Sequence, residues 1–233
     1  RPELAVLLSH SKISTFQMLL DSDVPEDTFL AEDLERYFPT ALSSRFKHLM
    51  PAHRLRREII ATHVTNSMIN RVGPGFTLRM NELTGARPSD TARAYAAARE
   101  IFRLRDLWRE VEGLDNTVAS KIQKELMHET RILLEQTILW LLRYRPQPID
   151  IALSVTEFRD VVDQLRRGFR RVLAASNRLN QKRRVRRYLN ADVPPAIANH
   201  IAELAGLSRA LDIAVVASKG NFGIAQVATI YFD

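Results

Sequence analysis

The sequence is poor in residue types that several classes of protein require: it has no cysteine, eight glycines and ten prolines among 233 residues. Without cysteine the chain can form neither a disulfide nor a zinc–thiolate site, and it cannot use a thiolate in catalysis. So few glycines and prolines argue against a sandwich of many short strands. Apolar runs such as Ile138–Leu142 are much shorter than the roughly 20 residues of a membrane-spanning helix. We therefore expect no membrane-spanning segment, and the lack of cysteine fits a reducing, cytoplasmic compartment.

Positive charge is abundant instead, with 34 Lys and Arg against 27 Asp and Glu and a formal net charge of +7. This balance is compatible with nucleic acid, an anionic membrane surface or an acidic partner domain, and does not decide between them. Hydrophobic residues make up 45% of the chain, which is enough for a substantial core. The first residue is not methionine, and the last eight, QVATIYFD, lie inside an apolar pattern. We therefore expect a segment of a longer protein.

Apolar residues recur at helical spacing along almost the whole chain. The sequence predicts a long helix from about Pro51 to Val72, ended by Gly73-Pro74-Gly75, because glycine accepts the left-handed conformation that terminates a helix. Only LDIAVVAS and VATIYF resemble strands, and neither has a clear partner. We predict an all-α fold, an irregular bundle of about nine to eleven helices with no sheet of consequence. Its two parts, residues 1–145 and 146–233, are expected to pack as one continuous helical domain of a longer parent chain.

Residues that could carry catalysis are scarce. No two of the six histidines have the i, i+4 spacing of a metal-binding helix, and MHETR, around His128, is half of a metalloprotease pattern. The glycines of Gly73-Pro74-Gly75 follow no strand and have no third glycine at dinucleotide-binding spacing. We expect no catalytic, cofactor-binding or metal-ligating residue, and no enzyme activity from this segment alone.

A helix-turn-helix is the first of two possible nucleic-acid-binding features. Residues 78–98 suggest a short helix, a glycine turn and a helix opened by Ser89, with Thr91 and Arg93 exposed as base or phosphate contacts. However, Pro88 lengthens the turn, and five alanines give the second helix side chains suited to close packing. A structural helical hairpin is the favoured interpretation, and a nucleic-acid-binding helical module is kept as an alternative.

The second feature is a basic run at residues 166–187, which contains ten Lys and Arg and no Asp or Glu. A polyanion could bind it through salt-sensitive phosphate contacts. One aromatic residue, Phe169, lies within the run and a second, Tyr188, follows it directly, which is few for a single-strand-binding surface. Arginine also forms forked pairs with carboxylates. We therefore predict a basic docking face for an acidic surface of the parent protein, carried by Arg166, Arg170, Arg183 and Arg187.

A line of polar residues runs along the predicted helix at residues 51–72. Glu58, Thr62, Asn66 and Asn70 lie four residues apart, and an apolar stripe of Ile60, Val64 and Met68 runs beside them. Polar side chains between apolar ones are costly if buried without partners. We predict a structural polar seam of buried or half-buried, hydrogen-bonded side chains.

Four stretches together resemble one family. They are RPELAVLLSHSKI, LRREIIATHVTNSMINRVG, ELTGARPSDTARAYAAAREIF and RYRPQPIDIA, in the family's order. The chain is similar over residues 1–217 to the C-terminal helical region of the large bacterial NAD-specific glutamate dehydrogenases. This resemblance implies a parent that oxidatively deaminates L-glutamate to 2-oxoglutarate and ammonia with NAD. It also implies that the nicotinamide-binding fold and substrate lysines lie upstream, so no catalytic residue is carried over to this chain.

The function expected from the resemblance is that of a non-catalytic scaffold and assembly segment. Its expected partners are the catalytic region of the same parent chain and other subunits of a homo-oligomer, with NAD bound by the parent and no cofactor bound here. Nucleic acid and membrane partners are not expected. A regulatory ligand-binding domain is a further alternative, for which the sequence offers no ligand-specific pattern.

Overall fold

The computed structural model describes residues 2–233, which form thirteen α-helices and two 3-10 helices and no strand. The α-helices are α1 Pro2–Leu20, α2 Ala31–Tyr37, α3 Thr40–Phe46, α4 Arg56–Val72, α5 Phe76–Thr84, α6 Pro88–Ile101, α7 Leu104–Glu112, α8 Ser120–Tyr144, α9 Ile151–Val172, α10 Ala175–Leu189, α11 Pro195–Leu207, α12 Ala210–Gly220 and α13 Ile224–Tyr231. The 3-10 helices are Val24–Glu26 and Lys47–Ala52. The all-α prediction is confirmed.

The predicted number of helices, about nine to eleven, is too low. One reason is that proline divides residues 21–55 into short helices, with Pro25 and Pro51 inside the 3-10 helices and Pro39 immediately before α3. Proline cannot donate the backbone hydrogen bond that would continue a preceding helix. The strand-like sequences near the C-terminus are helical and form parts of α12 and α13.

Glycine sets both ends of α5. Gly75 precedes the helix with φ +76° and Gly85 follows it with φ +74°, a left-handed conformation that glycine adopts without a steric penalty. The amide of Gly85 donates to the carbonyl of Asn81, which closes the last turn. The helix therefore begins at Phe76 and ends at Thr84, directly between the two glycines.

The chain divides into two compact units that alternate along the sequence. The first contains the residues up to Ala97 together with Ile138–Ala152, and the second contains Ala98–Thr137 together with Leu153–Asp233. The division predicted from the sequence, between residues 145 and 146, falls inside the later segment of the first unit and stays a prediction.

In the first unit, α4 packs against α1 and α2. The predicted apolar stripe of α4 is fully buried there, with Ile60, Val64 and Met68 all 0% exposed. Arg57 of α4 donates from Nη2 to the carbonyls of Leu20, at 2.6 Å, and Ser22, at 3.1 Å. Cations are favourable at the C-terminus of a helix, so this side chain attaches α4 to the end of α1.

In the second unit, the indole of Trp108 on α7 is buried and donates to the hydroxyl of Thr130 on α8, at 3.0 Å. The ring of Phe169 on α9 lies against Gly206 of α11, where a β-carbon would come within 2.1 Å of its Cζ. Glycine at this position therefore permits the close approach of α9 and α11. The other tryptophan, Trp140, belongs to the first unit and is half-buried.

Candidate functional site

The second helix of the helix-turn-helix-like segment, α6, is too buried to enter a DNA groove. All residues of α6 from Ser89 to Arg99 are buried, and Thr91 and Arg93 are only 0% and 6% exposed. The expectation that Thr91 and Arg93 are exposed is therefore wrong. The physical reason is the set of five small side chains, which allows neighbouring helices to approach α6 closely. Those residues, all 0% exposed, are Ala92, Ala94, Ala96, Ala97 and Ala98.

The guanidinium of Arg93 forms ion pairs inside the first unit. Its Nη2 lies 3.3 Å from the carboxylate of Asp23, and its Nε lies 3.8 Å from that of Asp27. A buried cation must be paired because removal from water is costly. Arg93 therefore fixes α6 to the loop around the first 3-10 helix and presents no charge to a polyanion.

Along the predicted polar seam of α4, the two middle residues are more buried than the two at its ends. Thr62 and Asn66 are half-buried and line a cavity of about 190 Å³ together with Lys12, Ile13, Phe16 and Thr65. Glu58 and Asn70, at the two ends of the line, are exposed, so the expectation of burial is wrong for them. A seam of hydrogen bonds at Thr62 and Asn66 stays a prediction.

The predicted docking arginines lie on two helices of the second unit, Arg166 and Arg170 on α9 and Arg183 and Arg187 on α10. Three of them have partners within that unit. Arg166 lies 4.0 Å from Glu203, Arg170 donates to the side-chain oxygen of Asn199, and Arg187 pairs with Glu125 of α8. Arg183 is exposed and has no ion-pair partner in the described part of the chain. Docking against an acidic surface elsewhere stays a prediction.

A cavity lined mainly by polar and charged residues lies between α9 and α11 of the second unit. Its volume is about 460 Å³. Residues of α9 and α11 line it, at helical spacing on each: Asp163, Arg166 and Arg167, and Ala196, Asn199, His200 and Glu203. Two carboxylates, two guanidiniums, an amide and an imidazole thus share one cleft.

Burial changes the protonation of two groups in this cleft. It raises the pKa of Glu203 to about 7, against the opposing effect of the nearby Arg166 and Arg170 guanidiniums. It lowers the pKa of His200 to about 4, and the positive charge of Arg166 acts in the same direction. Near neutral pH the imidazole is therefore uncharged, and the Glu203 carboxyl is partly protonated.

Residues 1–233 match the family model of the C-terminal region of glutamate dehydrogenase. The chain belongs to this family. Among its relatives are NAD-specific glutamate dehydrogenases of Pseudomonas aeruginosa, 35% identical over 232 residues, Halomonas elongata, 34% over 232, and Mycobacterium tuberculosis, 31% over 233. These alignments cover 100%, 100% and 99% of this chain but 14% of each relative. The chain thus spans 14% of the length of the curated relatives it matches, and the predicted family resemblance is confirmed.

Sequence reasoning missed the α11 side of this cleft. It singled out Arg166 on α9 as part of a docking face, but not His200 or Glu203 on α11. One signal was present, since His200 and Glu203 are three residues apart on a predicted helix and so lie on one face. Which helix faces α9 cannot be obtained from that spacing.

Two further findings concern the whole described segment. Among residues 2–233, the histidine, aspartate and glutamate side chains form no group of three that could ligate a metal ion. No helix in the same range has both the length and the apolar character needed to cross a bilayer.

Proposed function

We propose that this chain is a non-catalytic C-terminal scaffold and assembly segment of an NAD-dependent glutamate dehydrogenase. The whole protein would oxidatively deaminate L-glutamate to 2-oxoglutarate and ammonia, with NAD bound outside this segment. Membership of the C-terminal family along the full chain and the helical architecture support this proposal. The scaffold role itself rests on the surface of α1.

The start of α1 exposes large apolar side chains on two opposite sides of the helix. Leu4, Val6 and Leu7 are 63%, 68% and 54% exposed, and Ile13, one to two turns further on, is 67% exposed. Contiguous exposed apolar surface marks an interaction site in a folded protein. This surface, defined as Leu4, Val6, Leu7 and Ile13, is called the α1 apolar surface below.

The C-terminal end of α1 is packed within the first unit, in contrast to its start. Thr15 and Leu19 are buried in the first unit, where α1 packs against α4. The described residues thus bury more of the second half of α1 than of the first. We infer that the α1 apolar surface is covered by another part of the dehydrogenase, either the catalytic region of the same parent chain or a second subunit.

The partners follow from this role. We propose a cytoplasmic homo-oligomer in which the segment binds protein surfaces. The burial of α6 argues against the nucleic-acid alternative, because the helix that would enter a groove is covered along its length.

The solution mass of the chain, measured by light scattering over a range of concentrations and at two salt levels, tests the assembly role. The chain is also mixed with a relative enzyme that lacks the matching segment, and the mass of the complex is measured. We expect self-association, or a complex with the truncated relative, that persists at high salt because the contact is apolar.

Two matched variants of α1 sharpen this test. Val6→Lys places a charge in the α1 apolar surface and should abolish the association. Ser9→Lys adds the same charge at an exposed polar position of the same helix and should leave it intact. A chain that neither self-associates nor binds the truncated relative would overturn the proposal, as would equal loss in both variants.

A further inference from the structure

We propose that the cleft between α9 and α11 is a binding site for a small oxyanion, a carboxylate or phosphate group, held by Arg166 and Arg167 with His200 at its base. The site is separate from the α1 apolar surface, and this inference does not depend on the scaffold role. It assigns the chain a ligand as well as protein partners.

His200 gives the first reason. Its side chain lines the cleft and is 8% exposed. No hydrogen bond to its imidazole is formed within the described residues, and its ring nitrogens are not among the fully buried atoms that lack a partner, so a molecule in the cleft can reach them. The lowered pKa keeps the ring neutral, so one ring nitrogen carries a proton that it can donate to an oxygen in the cleft.

The two guanidiniums give the second reason. Arg166 Nε lies 4.0 Å from Glu203, which is too long for a hydrogen bond. Arg167 is exposed at the cleft and has no ion-pair partner in residues 2–233. Both side chains therefore keep donors for a ligand, and arginine matches the planar or tetrahedral geometry of carboxylate and phosphate oxygens.

The acidic residues of the cleft are largely neutralised. Asp163 pairs with Arg103 at 2.9 Å. Glu203 is partly protonated near neutral pH, and the Arg170 guanidinium lies close enough to act on its pKa. With Arg166 and Arg167 charged, the balance of the cleft is positive. A cation would meet the guanidiniums of Arg166 and Arg167, whereas an anion would find donors on both helices.

The protonation of Glu203 makes an additional prediction. An anion next to this carboxyl favours its protonated form, so binding takes up a proton. Affinity should therefore fall as the pH rises through about 7. Sulfate is the suitable probe for this effect because its own charge does not change in that range.

The experiment is calorimetric titration of the 233-residue chain with sodium sulfate, inorganic phosphate and succinate, at constant ionic strength. We expect saturable binding. Arg167→Gln, an exposed position that leaves the fold intact, should weaken binding at least about tenfold, which corresponds to roughly 1.4 kcal/mol. Arg166→Gln should have a similar effect. Arg209→Gln removes the same charge at an exposed position outside the cleft and should change affinity by less than about twofold.

The remaining measurements identify the class of ligand and the role of the Glu203 carboxyl. Tighter binding of phosphate and sulfate than of succinate would assign a phosphate-type ligand, and the reverse a carboxylate. Glu203→Gln should bind sulfate with an affinity that no longer changes with pH between about 6 and 8. Absence of saturable binding by all three anions would overturn the proposal, and so would equal losses in Arg167→Gln and Arg209→Gln. Val6→Lys should leave anion binding unchanged, which separates this result from the test of assembly.

Discussion

Helices α6 and α10 both carry arginines, and from the sequence both were candidates for contact with nucleic acid. In the structure they are opposites. Helix α6 is buried from Ser89 to Arg99, whereas α10 exposes the cations Arg178, Lys182, Arg183, Arg186 and Arg187. Arginine alone therefore does not indicate a surface. The residues between the arginines decide. In α6, alanine fills four of the five positions between Arg93 and Arg99 and permits close packing, while α10 places polar or charged residues at most positions between its exposed cations.

The two helices also use their ion pairs differently. Arg93 of α6 is buried and fixed by Asp23 and Asp27, so its pairing offsets a large desolvation cost. Arg187 of α10 pairs with Glu125 of α8 in an exposed position, where such pairs contribute about 0–1 kcal/mol. The same type of contact thus maintains the fold in one helix and adds little to it in the other.

The largest expected difference in stability between the two helices appears when a carboxylate is added to each of them. Ala96→Glu in α6 buries a carboxylate without a partner, and we expect it to lower the free energy of unfolding by more than about 4 kcal/mol or to prevent folding. Asn180→Glu at an exposed position of α10 should change it by less than about 0.5 kcal/mol. Urea unfolding followed by circular dichroism measures both. Comparable losses in the two variants would remove the distinction between the helices.

A smaller difference is expected when each arginine is removed. Arg93→Ala leaves the carboxylate of Asp27, 17% exposed, without its partner and creates a cavity, so we expect a loss of about 2–3 kcal/mol. Arg187→Ala should cost at most about 1 kcal/mol. The same unfolding measurement at low and high salt checks this, because salt should reduce the second loss much more than the first. A larger loss for Arg187→Ala would reverse the comparison.

Glu203 of α11 is more exposed than Arg93 and less exposed than Arg187, and its protonation makes the stability of the chain depend on pH. Its pKa is raised from 4.5 to about 7, so its contribution to stability is complete below pH 4.5 and is lost as the pH rises to about 7. His200, with its pKa lowered from 6.5 to about 4, contributes stability that is present above pH 6.5 and lost as the pH falls towards 4.

The two contributions oppose each other, so Glu203→Gln isolates the first. Glutamine resembles the protonated carboxyl, and the variant should gain stability relative to the original chain, on the order of 1–2 kcal/mol, between about pH 5 and pH 8. Urea unfolding at several pH values measures this difference. Curves that stay parallel across the range would show that Glu203 titrates at its ordinary pKa in the folded chain.

The smallest expected effect is an increase in the free energy of unfolding. Arg183 of α10 precedes Arg186 and Arg187 by three and four residues, where like charges repel along a helix. We expect Arg183→Glu to raise the free energy of unfolding by a few tenths of a kcal/mol, with most of the gain lost at high salt. Thermal unfolding at two salt concentrations checks it. A loss of stability would place Arg183 in a contact that α10 needs.

Local features of the fold could be predicted well. The bounds of α5 follow from Gly75 and Gly85, and the buried face of α4 follows from the spacing of Ile60, Val64 and Met68, because both depend on residues close in sequence. The short helices before α4 were harder to predict, since proline and tertiary packing compete there.

The candidate cleft could be predicted only in part. Arg166 was found because a run of arginines is visible in the sequence. Its neighbour Glu203 lies 37 residues further on, and nothing local indicates that α9 and α11 approach each other. The prediction that Glu58 and Asn70, the ends of the polar line, are buried was wrong for a related reason. Spacing shows which residues share a face of a helix, but not how far a neighbouring helix covers that face.

The placement of the two tryptophans makes the two compact units optically distinguishable. Trp108 belongs to the second unit and Trp140 to the first, and the chain has no other tryptophan. Indole emission depends on its surroundings, which differ here: Trp108 is hydrogen-bonded to Thr130, whereas Trp140 lies beside the tilted ring of Tyr144 and the guanidinium of Arg145. Replacing either indole by phenylalanine leaves one emitter in one unit. Coincident fluorescence transitions of the two variants would show that the units unfold as one cooperative structure, and separated transitions that each unit unfolds independently.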